Sequence, residues 1–247
     1  YGRTDDPSGS KRIILFTPES KNIAETATYN DIPINTISWN GLPGGTNWAN
    51  HMNAYNAHSE LANVQTRLTF LAPMLAEYYA TLDDRYIQGV FGLIADFAYD
   101  RGGPGWLRQL EVAERGNQFY ILYPYLLESE YMNPEIHTAI LKMLYLEADY
   151  LYQDANFRPD GNWGVWDVQG FMKVCTILPE LRNISNDTWV PKIKSRIDVL
   201  VNNTIWNDGA YVEASMGYGL AVYAKYYEFM EMAEKINIKL SDDFNDK

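Results

Sequence analysis

Asn162 follows Asp160-Gly161 and leads into Trp163 and Trp166, and Tyr218 follows a run that holds Asp208-Gly209, Tyr211, Glu213 and Ser215. Each puts an uncharged polar group at the start of a helical stretch, beside aromatics, where a side chain can point into a cleft. An amide, a phenol and aromatic faces can hold a sugar ring by hydrogen bonding and stacking. Plainer readings stand beside that one. Asn162 is also a good helix N-cap, and Tyr218, one of 19 tyrosines, fits a core stripe. Trp163 and Trp166 fill a core or stack on sugar, and Glu213 braces its turn, pairs with a base or meets substrate. Asp167, Asp208 and Glu213 could also supply an acid and base for glycoside hydrolysis, which needs two carboxylates about 5 to 9.5 Å apart. Arg101 and Arg108, either side of Gly102-Gly103-Pro104-Gly105, are solvated charges or the rim of a polyanion site.

Helices must position these groups, because apolar residues recur three and four apart through most of the chain. Ile136, Ile140, Leu144, Ala148 and Leu151 form one stripe, and Tyr218, Val222, Tyr226, Met230 and Ala233 another. The spacing predicts further helices over Trp48 to Leu61, Val64 to Tyr79, Asp84 to Tyr99, Trp106 to Leu127, Trp163 to Leu178 and Thr188 to Asn203. Breakers separate them at Asn133-Pro134, Arg158-Pro159-Asp160-Gly161 and Asn207-Asp208-Gly209. Helices joined by short loops pack as antiparallel neighbours. The expected fold is all-α, a ring of helical hairpins over residues 39–238. Residues 1–38 read as an irregular arm whose one strand-like run is Arg12 to Phe16, and 239–247 as a polar tail or linker.

At 247 residues the chain is long enough for one large domain, and a hydrophobic share of 47% excludes a disordered one. A net charge of -12 argues against nucleic acid, whose binding needs a positive field to release counterions. It allows an acidic glycan only if cations cluster locally. No apolar run is long enough for a membrane span. His51, His58 and His137 lack metal-ligand spacing, so no metal is expected, and no Gly-rich phosphate cradle calls for a nucleotide cofactor. Cys175, alone in the chain, reads as a packed thiol. Asn183, Asn186 and Asn202 open glycosylation sequons that do not decide the host.

Several of these residues recur together in a known pattern. Glu114-Arg115-Gly116-Asn117-Gln118, Gly161-Asn162-Trp163 with Gly170 and Leu178-Pro179-Glu180, Trp189, and Asp208-Gly209 with Glu213, Ser215 and Tyr218 occur in this order after a run of helices. In them the chain resembles the helical N-terminal domain of the heparinase II/III-like polysaccharide lyases over roughly Trp39 to Ile236. The resemblance implies an incomplete (α/α) toroid and β-elimination at a uronic acid in an acidic polysaccharide, without a cofactor, in the periplasm or outside the cell. It assigns Asn162 to the uronate carboxylate and Tyr218 to proton transfer at the scissile bond. A Tyr base, with a reference pKa of about 10, needs positive neighbours near neutrality. Arg115 is the candidate for that task or for holding substrate, with Arg108, Trp163, Trp166 and Glu213 as further substrate contacts.

That family carries a β-sheet domain after the toroid, which gives the active site a His. Here the helix of Tyr218 is followed by few residues, so the chain is expected to be the helical part of a longer enzyme with that domain as its intramolecular partner. Some members also place a His after the catalytic Asn, where this chain has Trp163.

Overall fold

The computed structural model describes residues 66–101, 108–178 and 189–247, together with the backbone of a short antiparallel pair, β1 (Thr28–Tyr29) and β2 (Ile32–Pro33). The strand-like run at Arg12 to Phe16, the helix expected from Trp48 and the Leu-Pro-Glu segment beyond Leu178 lie outside the described residues. So do His51, His58, Asn183 and Asn186.

Everything else described is helix and connector, so the fold is all-α as expected. The helices are α1 (Leu71–Thr81), α2 (Asp84–Arg101), α3 (Gln109–Leu127), α4 (Pro134–Tyr152), α5 (Asn162–Ile177), α6 (Trp189–Thr204), α7 (Met216–Lys235) and α8 (Asp242–Asp246), with one 3-10 turn at Asp154–Asn156. Among the described residues, no helix is long and apolar enough to cross a membrane. The chain divides into two compact units, 1–103 with 124–143 and 104–123 with 144–247.

In the first unit α1 and α2 form a tight hairpin. Leu82, in the left-handed region at φ 56°, ends α1, and its N–H returns to the Tyr78 carbonyl at 2.7 Å. Leu71, Met74 and Leu75 of α1 are buried with Ile87, Val90, Phe91, Ile94 and Phe97 of α2. Asn133 caps α4 by accepting from the Ile136 N–H at 2.9 Å, which is why the Asn-Pro pair starts a helix here.

The second unit is organised around α5. Its Val165, Val168, Phe171, Met172, Val174 and Cys175 are buried together with Asp167, Gln169 and Lys173, and a helix buried on all sides has to be enclosed by others. It packs against α6 and α7. Against α3 it comes closer than side chains allow: a Cβ on Gly170 would lie 2.3 Å from the Ala113 carbonyl oxygen and 2.5 Å from Ala113 Cα. Across the same contact a Cβ on Gly116 would lie 2.9 Å from the Gly170 carbonyl oxygen. Both glycines are therefore fixed by backbone packing, the α3–α5 crossing having no room for even one methyl group.

Arg196 of α6 terminates α4. Its guanidinium donates to the carbonyls of Leu151, Tyr152 (2.8 Å) and Gln153 (3.1 Å), which have no partner within the helix, while lying 4.6 Å from the Phe157 ring. The polar tail expected over 239–247 is instead partly helical. Ser241 caps α8 through the Phe244 N–H at 3.3 Å, and Phe244 is buried edge-on to Tyr226, with ring centroids 5.8 Å apart. Lys247 adds bonds from its Nζ to the Ile205 carbonyl at 3.0 Å and to Asn202 Oδ1 at 3.2 Å.

Candidate functional site

Asn162 is the first residue of α5, and the capping position belongs to Gly161, in extended backbone. The N-cap reading of Asn162 is thereby corrected. Its own N–H donates to Glu213 Oε1 at 3.1 Å, and among the described residues nothing hydrogen-bonds its side-chain amide. The amide is available for a ligand.

Glu213 lies on the connector between α6 and α7. Asn207-Asp208-Gly209 makes the expected turn: Asp208 Oδ1 accepts from the Ala210 N–H at 3.0 Å, and Gly209 takes φ 83°. Bonds from Trp206 N–H to the Ala210 carbonyl (2.9 Å) and Val212 N–H to the Thr204 carbonyl (3.0 Å) hold the rest, with the Tyr223 hydroxyl on the Gly209 carbonyl. Within this frame Tyr211 OH donates to the same Glu213 Oε1 at 2.6 Å. Burial first, then the hydrogen bond to Glu213 and the Glu213 charge, push the Tyr211 phenol far above its ordinary pKa, so it stays a donor. One carboxylate oxygen thus ties the start of α5 to the connector that feeds α7.

Two residues further on, Ser215 caps α7, its Oγ accepting from the Tyr218 N–H at 3.4 Å. Tyr218 lies in the first turn and is 53% exposed, and its hydroxyl has no hydrogen-bond partner among the described residues. The stripe that suggested a core tyrosine is real for Val222, Tyr226 and Ala233, which are buried, while Tyr218 and Met230 lie on the open side. A helical period tells which residues share a face, and not how far that face is covered.

The tryptophans are half-buried and faced by cations. The guanidinium carbon of Arg158 lies 4.3 Å, and that of Arg108 5.1 Å, from the Trp163 ring centroid. Arg108 is also held by Glu111 through two bonds of 2.9 and 2.7 Å. Lys225 lies 5.3 Å from the Trp166 ring, and Glu228 joins Lys173 at 2.8 Å and Lys225 at 3.6 Å. Cations thus face Trp163 from the residue before α3 and from the loop before α5, and Trp166 from α7. Arg158 is the member that sequence reasoning missed, read there only as part of a loop breaker.

Arg115 is placed differently from the expectation. It is 1% exposed, and its Nε donates to Glu147 Oε1 at 2.6 Å in a pair buried on both sides. A guanidinium so enclosed braces α3 against α4 and does not reach a ligand at the surface.

Asp167, considered for acid–base work, is 2% exposed, and neither of its carboxyl oxygens has a hydrogen-bond partner. Desolvation raises its pKa well above 3.8, against the opposing pull of Arg196 and Arg158 and with help from Glu111. The linkage sign follows. Above 3.8 the unfolded chain has released this proton while the folded chain retains it, so stability falls as pH rises, by up to about 1.4 kcal/mol per pH unit, until the folded group ionises. Asp167→Asn should remove that fall, so urea unfolding of the variant changes less steeply between pH 4 and 7 than that of the parent. Equal slopes would show that Asp167 is charged in the folded state.

The family described as Heparinase II/III N-terminus matches residues 23–246. A heparin-sulfate lyase of Bacteroides thetaiotaomicron is 26% identical over 213 residues, covering 82% of this chain and 29% of that protein. The chain thus spans under a third of the length of the relative it matches. No solved structure matches.

Proposed function

We propose that this chain, which belongs to the heparinase II/III family through its N-terminal domain, is the helical part of a polysaccharide lyase that cleaves a uronic-acid-containing glycan by β-elimination. The observations that support the reading are an unengaged amide at Asn162 and an exposed phenol at Tyr218, each in the first turn of a helix, with Glu213 bonded to the N–H of the first and two residues before the cap of the second.

The chemistry asks for these groups. Removing the proton on the carbon α to a uronate carboxylate adds negative charge beside an existing one. The Asn162 amide, donating to the carboxylate, spreads that charge in the transition state, and a donor of this kind is worth about 3 kcal/mol. The electron pair left by the proton becomes the new carbon–carbon double bond as the glycosidic oxygen departs, and that oxygen needs a proton. Tyr218, ionised, is the base for the α-proton, and the phenol so formed donates that proton to the departing oxygen and returns to its ionised state. Lys225, beside Trp166, supplies positive charge at the rim that holds a polyanion against the overall charge, whereas Arg108, expected to share that task, is held by the Glu111 carboxylate. A second proton-transfer group, a His, belongs on this reading to a β-sheet domain of the longer protein.

The hydrolase alternative loses support from its own residues. Asp167 is buried, Asp208 is engaged in its turn, and Glu213 is occupied by Asn162 and Tyr211. The test is the product. Incubating the intact protein with heparan sulfate, hyaluronan and alginate should give, with at least one, a conjugated unsaturated uronate absorbing in the ultraviolet. New reducing ends without that absorbance would mean hydrolysis, and tight binding without new ends would mean a glycan-binding module.

A further inference from the structure

The loop before α5 is held more firmly than a connector requires. Phe157 N–H donates to the Asp154 carbonyl at 3.2 Å, and Asn203 Nδ2 donates to the Pro159 carbonyl at 3.0 Å, tying the loop to α6. Between these points the Arg158 carbonyl presses onto the first turn of α5. A Cβ on Gly164 would lie 1.7 Å from that oxygen, so glycine is required for the approach. The backbone of Arg158 is therefore fixed, and its guanidinium is laid at 4.3 Å on the ring of Trp163, the residue after Asn162.

The two guanidinium groups on Trp163 differ in what neutralises them. Arg108 has the Glu111 carboxylate at 2.7 Å on a side chain with no exposure, so its charge is compensated within the fold. Arg158 is exposed and makes no ion pair or hydrogen bond through its side chain among the described residues. Asp167, whose carboxyl feels the Arg158 charge, is buried away from the surface. A guanidinium held over an aromatic ring still offers its fork of N–H donors and gives up little rotamer freedom when an oxyanion arrives.

We infer that Arg158 is an anion-binding residue of the glycan site, taking a carboxylate or sulfate on the sugar ring adjacent to the one that Asn162 holds. The inference rests on the proposed glycan site, but it concerns binding and can be measured without turnover. The experiment uses the intact protein carrying Tyr218→Phe, so that bound oligosaccharide is not consumed. Affinity is measured for a sulfated heparin hexasaccharide and for its chemically desulfated counterpart at several salt concentrations, with and without Arg158→Gln and Arg158→Lys.

Arg158→Gln should weaken binding about tenfold or more and flatten its dependence on salt, as expected when one charged contact is lost. Arg158→Lys, which keeps the charge without the planar fork, should fall between. Weakening confined to the sulfated probe identifies the group as sulfate, and equal weakening of both identifies it as carboxylate. Unchanged affinity and salt dependence in Arg158→Gln overturns the inference, as does equal loss of melting temperature and affinity in both variants, which would make Arg158 structural. Failure of the lyase reading is separate: Arg158-dependent binding without unsaturated product from the parent protein would sink elimination and leave this contact standing.

Discussion

In the intact protein, Tyr218→Phe should cut formation of unsaturated uronate by about a hundred- to ten-thousandfold, the usual contribution of a general acid–base group, while melting temperature and glycan affinity stay as they are. The structure makes this substitution clean. Tyr218 is exposed on the first turn of α7, its hydroxyl bonds no described residue, and the cap on Ser215 uses its backbone N–H, which Phe keeps. Only the proton-transferring atom is lost. Asn162→Ala should be damaging on a similar scale, roughly a hundred- to a thousandfold, through lost stabilisation of the developing charge. It should not lose the ~1 kcal/mol that removing a helix cap costs, because Gly161 holds that position and the bond to Glu213 runs from the Asn162 backbone. Steady-state rates followed by ultraviolet absorbance, together with thermal melts, check both. Normal turnover by Tyr218→Phe would remove the proposed mechanism, and a large loss of stability in Asn162→Ala would restore its structural reading.

The sequence was informative where a local rule decides the outcome. The helices expected from Asp84, Thr188 and Trp163 are found within two residues as α2, α6 and α5, because their apolar period, breakers and caps all lie close in sequence. The Asn207-Asp208-Gly209 turn is likewise local chemistry, an aspartate side chain meeting an N–H two residues on with glycine at positive φ. What sequence could not give are meetings between distant segments. Gly116 and Gly170 stand out as glycines inside helices, yet only the structure shows that Gly116 faces the Gly170 backbone and Gly170 that of Ala113. The link from Glu213 to Asn162 crosses 51 positions. Arg158 followed by proline reads as punctuation until Trp163 is seen beneath it. Phe244 looked solvated because its neighbours are acidic, whereas its burial depends on Tyr226 of another helix.

Arg115 shows the same limit and leads to the largest expected change in stability. An arginine in a motif of a polyanion-cleaving family reads as a ligand for substrate, but its carboxylate partner Glu147 lies 32 positions away on α4 and is equally buried. Desolvation raises the Glu147 pKa, and the charge of Arg115 together with their hydrogen bond opposes that rise. Arg115→Met keeps much of the volume but leaves a buried carboxyl without its counter-ion, and cutting such a pair on one side costs about 3 to 5 kcal/mol. In a chain of this size that lowers the melting temperature by on the order of 10 °C. The variant should also become more stable as pH falls below neutrality, because the folded state then takes up a proton on Glu147 at a pH where the unfolded chain does not. Adding Glu147→Leu should recover most of the loss, since a buried ion pair replaced on both sides by apolar groups of similar volume is often neutral or stabilising. Thermal and urea unfolding of the two single variants and the double variant measure this coupling directly. If Arg115 instead held substrate, Arg115→Met would keep its melting temperature and raise KM, and Glu147→Leu would rescue nothing.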